Sequence, residues 1–471
     1  MTSMTLTTTL LSVEALTVDG DGVSIAPITF ALEAGQRLTL LGETGSGKSL
    51  IAQAIMGTLP NGLTTSGQLT IASHTCAAAD TTSRRALWGR TLALLPQEPW
   101  NALDPTMRAL PQVAETHRYV AGRSKPDANS AARDDLIQLG LEEGLNKLPG
   151  ELSGGMAQRV AFAAASAAGA SIVIADEPTK GLDAPRRDDV VKLLAKTPDA
   201  GGALLTITHD IDVARRLGGE VIILRQGQVV ERGPAEQLLN QPQTEYAQRL
   251  LSAEPSRWSD PSPFSHQASS PVVSASGLGI ARGGRQLFSE LDVAVRPGEI
   301  VGVVGPSGCG KSTLGDILLG VAKPGAGSVI YQDGMPRLGR QKLYQDPPAA
   351  FSPHWTLNQL LEDLLRRHQF EYRAVAPLME RLGLNQHLLD RRPGEISGGE
   401  LQRFAILRVL LLKPRFLFAD EPTSRLDPVT QQQTLSLLIE LAREQACAVM
   451  LVSHDPALIA KVCDRQLALA G

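Results

Sequence analysis

The chain has 471 residues, of which 43% are hydrophobic, 20% charged and 4% aromatic, with a formal net charge of −4. This is the profile of a folded chain with more than one core, and it carries no overall basic surplus for nucleic acid. Cys76, Cys309, Cys447 and Cys463 are scattered and form no CxxC pair, so neither a disulfide framework nor a zinc knuckle is expected, and a reducing compartment fits.

The N-terminal MTSMTLTTTLLSVEAL has no basic region and no long apolar core, so it does not read as a signal peptide. The most apolar stretch, Ala161 to Ala175, is broken by Ser and Gly and runs into Asp176-Glu177, too short and interrupted for a membrane span. Any membrane role is expected to come through a partner.

The first predicted strand of interest, LTLLG, runs into GETGSGKS at Gly42–Ser49 and then into a helical pattern. A strand, a glycine-rich turn and a helix in that order form the context in which G-x-x-x-x-G-K-S cradles phosphate. Glycines let backbone N–H groups converge on the anion, and the helix start adds a favourable dipole. Lys48 is expected on the β- and γ-phosphates and Ser49 on Mg²⁺. Gly42, Gly45, Ser46, Gly47 and Leu50 complete the nucleotide-binding set. Further on, Leu152-Ser153-Gly154-Gly155 precedes a helix, and the apolar strand IVIAD ends at Asp176-Glu177. Asp176 is expected in the magnesium shell. Glu177 would accept a proton from an attacking water if the backbone turns at the strand end. Taken singly, each of these has a bland alternative: a glycine turn, a helix cap, a solvated strand end.

The chain then repeats itself, which removes those alternatives. GPSGCGKS at Gly305–Ser312, ISGGELQR at Ile396–Arg403, FLFADEPT at Phe416–Thr423 and VSHD at Val452–Asp455 return in the order of the first copy. Gly305, Gly308, Cys309, Gly310, Lys311, Ser312 and Thr313 form the second phosphate loop. Asp420 and Glu421 are the second acidic pair, and Ser397, Gly398 and Gly399 the second serine–glycine turn. The interval between copies shortens by about fifteen residues after the phosphate loop and then stays nearly constant. The second copy is therefore expected to be trimmed between phosphate loop and glutamine. Cys309, beside a helix start, has two readings: a thiol of lowered pKa and raised reactivity, or a small residue filling a glycine-like slot. Residues 256–271 are rich in Ser and Pro and read as a linker. The expected domains are 1–255 and 272–471, the second lacking the helix-like tail of the first.

Four motifs in order, twice over, resemble the ATP-binding-cassette family across nearly the whole chain. The resemblance implies two tandem α/β phosphate-loop ATPase domains, each with a mainly parallel core sheet, an antiparallel β region and a helical subdomain. It implies ATP and Mg²⁺ as ligands. Gln97 and Gln345 match the glutamine that senses the γ-phosphate and are assigned to the metal shell with Ser49, Asp176, Ser312 and Asp420. His209 and His454 match the switch histidine, and Asp183 and Asp427 the aspartate of the dimer-crossing loop. Serine–glycine turns of one domain complete the ATP site of the other in this family.

QEPWNALDP at Gln97–Pro105 and the tail QPQTEYAQRLLSAEP at Gln241–Pro255 are similar to the oligopeptide, dipeptide and nickel importers. This implies two transmembrane permease subunits and a solute-binding protein as partners, no direct nucleic-acid contact, and a peripheral place on the cytoplasmic face of the inner membrane. Two other readings stay open: a soluble tandem ATPase on ribosome or DNA, and an exporter motor. The linker lacks the long charged helix of the ribosome-associated class, and no zinc-binding cysteine insertion of the DNA-repair class is present. Near Val18-Asp19 and Ile280-Ala281 the sequence offers no aromatic residue on which adenine would stack.

The shared-site expectation is open to a coupling test. Groups acting on one transition state are strongly non-additive, whereas independent sites add. Lys48→Ala with Ser397→Ala should cost little more turnover than the worse single variant. Lys48→Ala with Ser153→Ala should damage two sites and cost more. Coupling of Lys48 to Ser153 instead would mean that each domain completes its own site.

Overall fold

A computed structural model of the chain describes residues 8–97, 102–179, 182, 184–260, 269–306, 308–345, 347–423 and 426–469. The chain divides into two compact units, Met1–Leu251 and Ser252–Gly471.

In the first unit, β1 (Thr9–Gly20), β2 (Val23–Glu33), β4 (Thr64–Ile71) and β5 (His74–Ala77) form an antiparallel sheet in the order β2-β1-β4-β5. β3 (Arg37–Gly42), β6 (Leu92–Leu95), β7 (Ile172–Asp176), β8 (Ala203–Thr208), β9 (Glu220–Arg225) and β10 (Gln228–Pro234) form the second sheet, ordered β10-β9-β3-β8-β7-β6. All its pairings are parallel except β10 with β9.

The second unit repeats the plan with fewer strands. β11 (Val273–Arg282), β12 (Arg285–Val295) and β14 (Ala326–Tyr331) make a three-stranded antiparallel sheet. β13 (Ile300–Val304), β15 (Arg340–Leu343), β16 (Phe416–Asp420), β17 (Ala448–Val452) and β18 (Arg465–Ala468) form a fully parallel sheet, ordered β15-β16-β17-β13-β18. Each unit also carries a helical region between glutamine and serine–glycine turn: Ala109–Glu115 and Lys125–Gln138 in the first, Leu357–His368 and Val375–Arg381 in the second.

The continuous apolar runs IVIAD and FLFAD are what a strand buried on both faces requires. Successive side chains point to opposite faces. In β7, Ile172 and Ile174 enter the core shared with the antiparallel strands, while Val173 and Ala175 enter the core shared with the helical region. In β16, Phe416 and Phe418 take the first direction, Leu417 and Ala419 the second. The acid at each strand end is thereby fixed between two packed layers.

The expected trimming of the second copy is a loss of elements. Between β4 and β6 the first unit has β5, the helix Thr81–Arg84 and the turn Arg85–Leu87; between β14 and β15 the second has only the turn Arg337–Gly339. One deleted residue had work to do. Arg84 is 0% exposed and donates to Ala54 O (2.7 Å), Ile55 O (3.2 Å) and Ala78 O (2.6 Å). It satisfies carbonyls at the C-terminal end of the phosphate-loop helix Lys48–Met56, where a cation also complements the helix dipole. In the second unit Arg340, from β15, stacks on Tyr331 at 4.0 Å and packs beside Gly320, past the end of the helix Lys311–Leu318.

The segment expected to be linker is partly built into the second unit. Trp258 is buried in its apolar core, its Nε1 donates to Ala253 O at 2.9 Å, and Asp260 pairs with Lys461 at 2.6 Å. Ser and Pro dominate the composition there, but one buried indole is enough to anchor the chain.

Core volumes are also traded between the copies. Ala52 and Ile174 in the first unit correspond to Gly315 and Phe418 in the second. A Cβ on Gly315 would lie 2.3 Å from Phe418 Cε1. Gly315→Ala should therefore destabilise the second unit by about 1–3 kcal/mol through overpacking. Adding Phe418→Ile, which restores the pair of the first unit, should recover part of that loss in urea unfolding. Simple additivity of the two substitutions would refute the packing account.

Candidate nucleotide site

The site is built where β3 and β13 end. A Cβ on Gly42 would lie 2.2 Å from Leu224 O, so only bare backbone passes between β3 and β9 there. Gly47, at φ +96°, turns the chain into the helix with Ile25 Cδ1 2.8 Å from where a Cβ would sit. Lys48 is buried, and its ammonium donates to Gly42 O (2.7 Å), Glu43 O (2.7 Å) and Ser46 Oγ (3.2 Å). In the second loop Lys311 donates to Gly305 O (2.7 Å) and Pro306 O (3.0 Å). Gly45 and Gly308 take left-handed φ in the corresponding turns. Leu50 is half-buried, and Thr313 is buried at the cleft wall.

Ser49 Oγ donates to Asp176 Oδ1 at 3.0 Å. Ser312 likewise bonds Asp420, yet burial outweighs this bond and the nearby Lys342, and Asp420 lies above the usual carboxylate range. A serine hydroxyl and a strand-end carboxylate are hard oxygen donors. Among the described residues no cluster of three or more His, Cys, Asp or Glu forms a closed cage. Such an open donor set suits Mg²⁺, which takes its remaining ligands from water and phosphate.

The acidic pairs answer how neighbouring strand residues reach one site. Glu177 (φ +47°) and Glu421 (φ +48°) both sit in the left-handed region, sparsely populated by non-glycine residues and often found where function over-determines geometry. Their N–H groups bond across to the adjacent strand: Glu177 to Ile207 O at 2.8 Å, Glu421 to Val452 O at 3.1 Å. The chain is thus turned so that the glutamate follows the aspartate onto the same side. Glu177 Oε1 lies 2.8 Å from His209 Nδ1, and Glu421 Oε1 lies 2.6 Å from His454 Nε2.

The two glutamines differ. Gln345 donates to Glu421 Oε2 at 2.8 Å, whereas Gln97 is exposed. An open cleft of about 400 Å³ in the second unit brings together Lys311, Ser312, Gln345, Asp420, Glu421 and His454. Arg282 and Leu287, from the β11–β12 hairpin, form another part of its wall. Among the described residues that line it, none is aromatic. Arg282 was missed from sequence because nothing in ARGGRQ marks it as facing a cleft.

The serine–glycine turns start helices in both units. Ser153 caps Gly154–Ser166 by accepting from Met156 N at 3.4 Å; Gly155 packs on Arg186. Ser397 caps Gly398–Leu411 in a reciprocal box with Glu400, and Gly399 faces Leu426. Asp427 caps Pro428–Glu444 through Thr430 N at 3.0 Å. Asp183 lies outside the described residues. Of the two readings of Cys309, burial supports the slot-filling one: its side chain is 2% exposed, belongs to the apolar core and points toward Gly305, so only its backbone belongs to the loop surface.

His209 has a raised pKa. Burial alone would push it down, but the charge of Glu177 and the hydrogen bond to it prevail. The stabilisation from the charged pair is therefore complete below the ordinary imidazole value of about 6.5 and is lost as pH rises through the raised value. In a histidine NMR titration His209 should titrate above the ordinary value. Glu177→Gln should lower it, since burial and Lys48 are then opposed only by the charge of Asp210. An unchanged titration in the variant would disprove the pairing.

Comparison with known proteins agrees with this geometry. A family model described as ABC transporter matches residues 25–180 and 288–424, more than half of the chain. The peptidoglycan transport ATP-binding protein YejF of Agrobacterium fabrum is 34% identical over 96% of this chain and 89% of its own length. The glutathione import ATP-binding protein GsiA of Escherichia coli K12 is 31% identical over 94% of this chain and 81% of its own. Among solved structures, the archaeal ribosome recycling factor aABCE1 in complex with stalk protein aP1 matches with a TM-score of 0.67 at 21% identity, covering 96% of this chain and 87% of that one, a likeness of fold alone. The chain belongs to the ABC transporter family and is an ATPase with two ABC domains in one polypeptide.

Proposed function

We propose that this chain is the motor subunit of a bacterial importer for peptide-containing solutes, driving two membrane permeases that receive cargo from a solute-binding protein. The observation that carries the ATPase assignment is the duplicated constellation: Lys48, Ser49, Asp176, Glu177 and His209 in one unit, Lys311, Ser312, Asp420, Glu421 and His454 in the other. Support for import comes from the relatives named for peptidoglycan transport and glutathione import, both of whose solutes contain peptide bonds. Among the described residues no helix is long and apolar enough to cross a membrane, in keeping with work done through partners at the inner face of the inner membrane.

Each residue has a chemical task in this reading. Lys48 and Lys311 exchange loop carbonyls for β- and γ-phosphate oxygens. Ser49 with Asp176, and Ser312 with Asp420, hold the magnesium, which neutralises phosphate charge when bound. Glu177 and Glu421 accept the proton of the attacking water. His209 and His454 orient those carboxylates and report on the γ-phosphate. Gln97 and Gln345 link the site to the permease face.

Replacing both glutamates tests the hydrolytic assignment. Glu177→Gln with Glu421→Gln removes the proton acceptors and leaves the phosphate cradle. Turnover should fall roughly 10²–10⁴-fold, while ATP binding persists and the nucleotide recovered from the protein is ATP. Wild-type turnover would remove both residues from the general-base role. The solute class is tested separately, by uptake of labelled di- and tripeptides into vesicles carrying the whole complex. ATP-driven uptake of a non-peptide solute alone would overturn the peptide assignment.

A further inference from the structure

Beyond β10 the first unit continues into the tail helix Glu245–Ser252. Glu231, on β10, fixes where that helix starts: its carboxylate accepts from Gln243 N (2.9 Å), Thr244 N (2.9 Å) and Thr244 Oγ1 (2.7 Å). Tyr246, Ala247, Leu250 and Leu251 are buried, one stripe at helical spacing. Arg225, the last residue of β9, stacks on the Tyr246 ring at 4.7 Å. The residue before it, Leu224, is the one whose carbonyl leaves no room for a Cβ on Gly42. The tail helix is thus seated on the strand end that borders the start of the first phosphate loop.

Arg249, on the same helix, has its guanidinium 5.6 Å from the Tyr246 ring, and its Nη2 lies 3.8 Å from Glu43 Oε1. Glu43 is the second residue of GETGSGKS. Its carbonyl accepts from Lys48 Nζ at 2.7 Å and from Ser46 N at 3.2 Å. One loop residue therefore carries both the carbonyl that holds the lysine and a carboxylate that repels an incoming triphosphate. Among the described residues, Glu43 Oε1 is closed off from solvent and accepts no hydrogen bond. A carboxylate oxygen so placed needs a countercharge, and Arg249 stands beside it. The arginine side chain is half exposed, and such an ion pair contributes little to stability. Its consequence falls on an anion that must approach Glu43. Pro306 stands at the corresponding place of the second loop, which has no carboxylate there.

We propose that Arg249 is a positioning residue of the first nucleotide site: by neutralising Glu43 it lets the first phosphate loop take a triphosphate, and it does so only while the tail helix is docked. This rests on the reading that Lys48 takes the β- and γ-phosphates. Arg249 acts through Glu43 and not on the reacting atoms. The tail helix thereby becomes a part of the first unit that sets the nucleotide affinity of its own loop.

The test reads nucleotide binding itself. Affinity for a non-hydrolysable ATP analogue with Mg²⁺ is measured by calorimetry on the full chain carrying Lys311→Ala, which leaves the first loop to be read. On that background Arg249→Ala should weaken binding roughly three- to tenfold, the scale of one partly screened charge. Arg249→Lys, which keeps the charge, should retain most of the affinity. Glu43→Gln added to Arg249→Ala should restore it, because the carboxylate that needed neutralising is gone. That rescue separates the proposal from a merely structural role, since a tail helix loosened by Arg249→Ala would not be repaired by a change in the phosphate loop. If Arg249→Ala fails to fold, Arg249→Gln with and without Glu43→Gln gives the same comparison. Unaltered affinity without the arginine's charge, or a loss that Glu43→Gln does not repair, would overturn the proposal. No analogue binding in Lys311→Ala itself would overturn instead the assignment of nucleotide to the first loop, an outcome distinct from either.

Discussion

The parallel pairing of the acid-bearing strand with its neighbour, β7 with β8 and β16 with β17, is the constraint on which both sites depend. These strands have no freedom to slip, because both faces are packed and every second residue belongs to a different core. The ladder carries Asp176 opposite Ile207 and Asp420 opposite Val452. One residue later the same neighbour accepts the N–H of Glu177 or Glu421 and holds it in a left-handed conformation. The histidine two residues beyond that acceptor, His209 or His454, is delivered to the glutamate by the same strand. Aspartate, glutamate and histidine thus share one backbone framework, and the cost of the left-handed turn is borne by the sheet.

Within that framework the two copies have diverged by paired compensation. Losing the excursion between β4 and β6 removes the helix-borne Arg84, and Arg340 packs beside the corresponding helix end from strand β15. Enlarging Ile174 to Phe418 is matched by shrinking Ala52 to Gly315. Arg187 bonds Asp210, the residue after His209, at 3.1 Å, whereas Gln431 bonds Thr423 at 3.2 Å in the second unit. Close-packed interiors tolerate such exchanges only in sets, since a single change leaves a clash, a void or an orphaned polar group.

What could be read from the sequence follows from how chemistry is distributed along the chain. Phosphate loops, serine–glycine turns and acidic strand ends are contiguous, so order and recurrence revealed them, along with the strand–loop–helix context that positions Lys48 and Lys311. The turn at Glu177 was anticipated as a need, but its left-handed form depends on Ile207, thirty residues away. Cys309 stays ambiguous in the sequence because a loop does not say which side chain turns inward. Trp258 was hidden by its Ser- and Pro-rich surroundings. Arg282 reaches the cleft only because the β11–β12 hairpin folds toward it. Lys342 did leave a signal: a lysine in a buried strand whose counterpart reads LALL needs a partner. That partner, Asp316, lies in the phosphate-loop helix.

Duplication within one polypeptide makes such differences possible. When one gene product supplies both halves of an ATPase from identical copies, any change strikes both sites at once. Here each site has its own Lys, Ser, Asp, Glu and His, so the surrounding residues can vary separately. Those five residue types are the same in both copies. The residues around them, Leu94 against Lys342, Gln53 against Asp316 and Gly20 against Arg282, differ in charge. The duplicated constellation is therefore constant between the two units, while the residues one layer out are free to differ in size and charge.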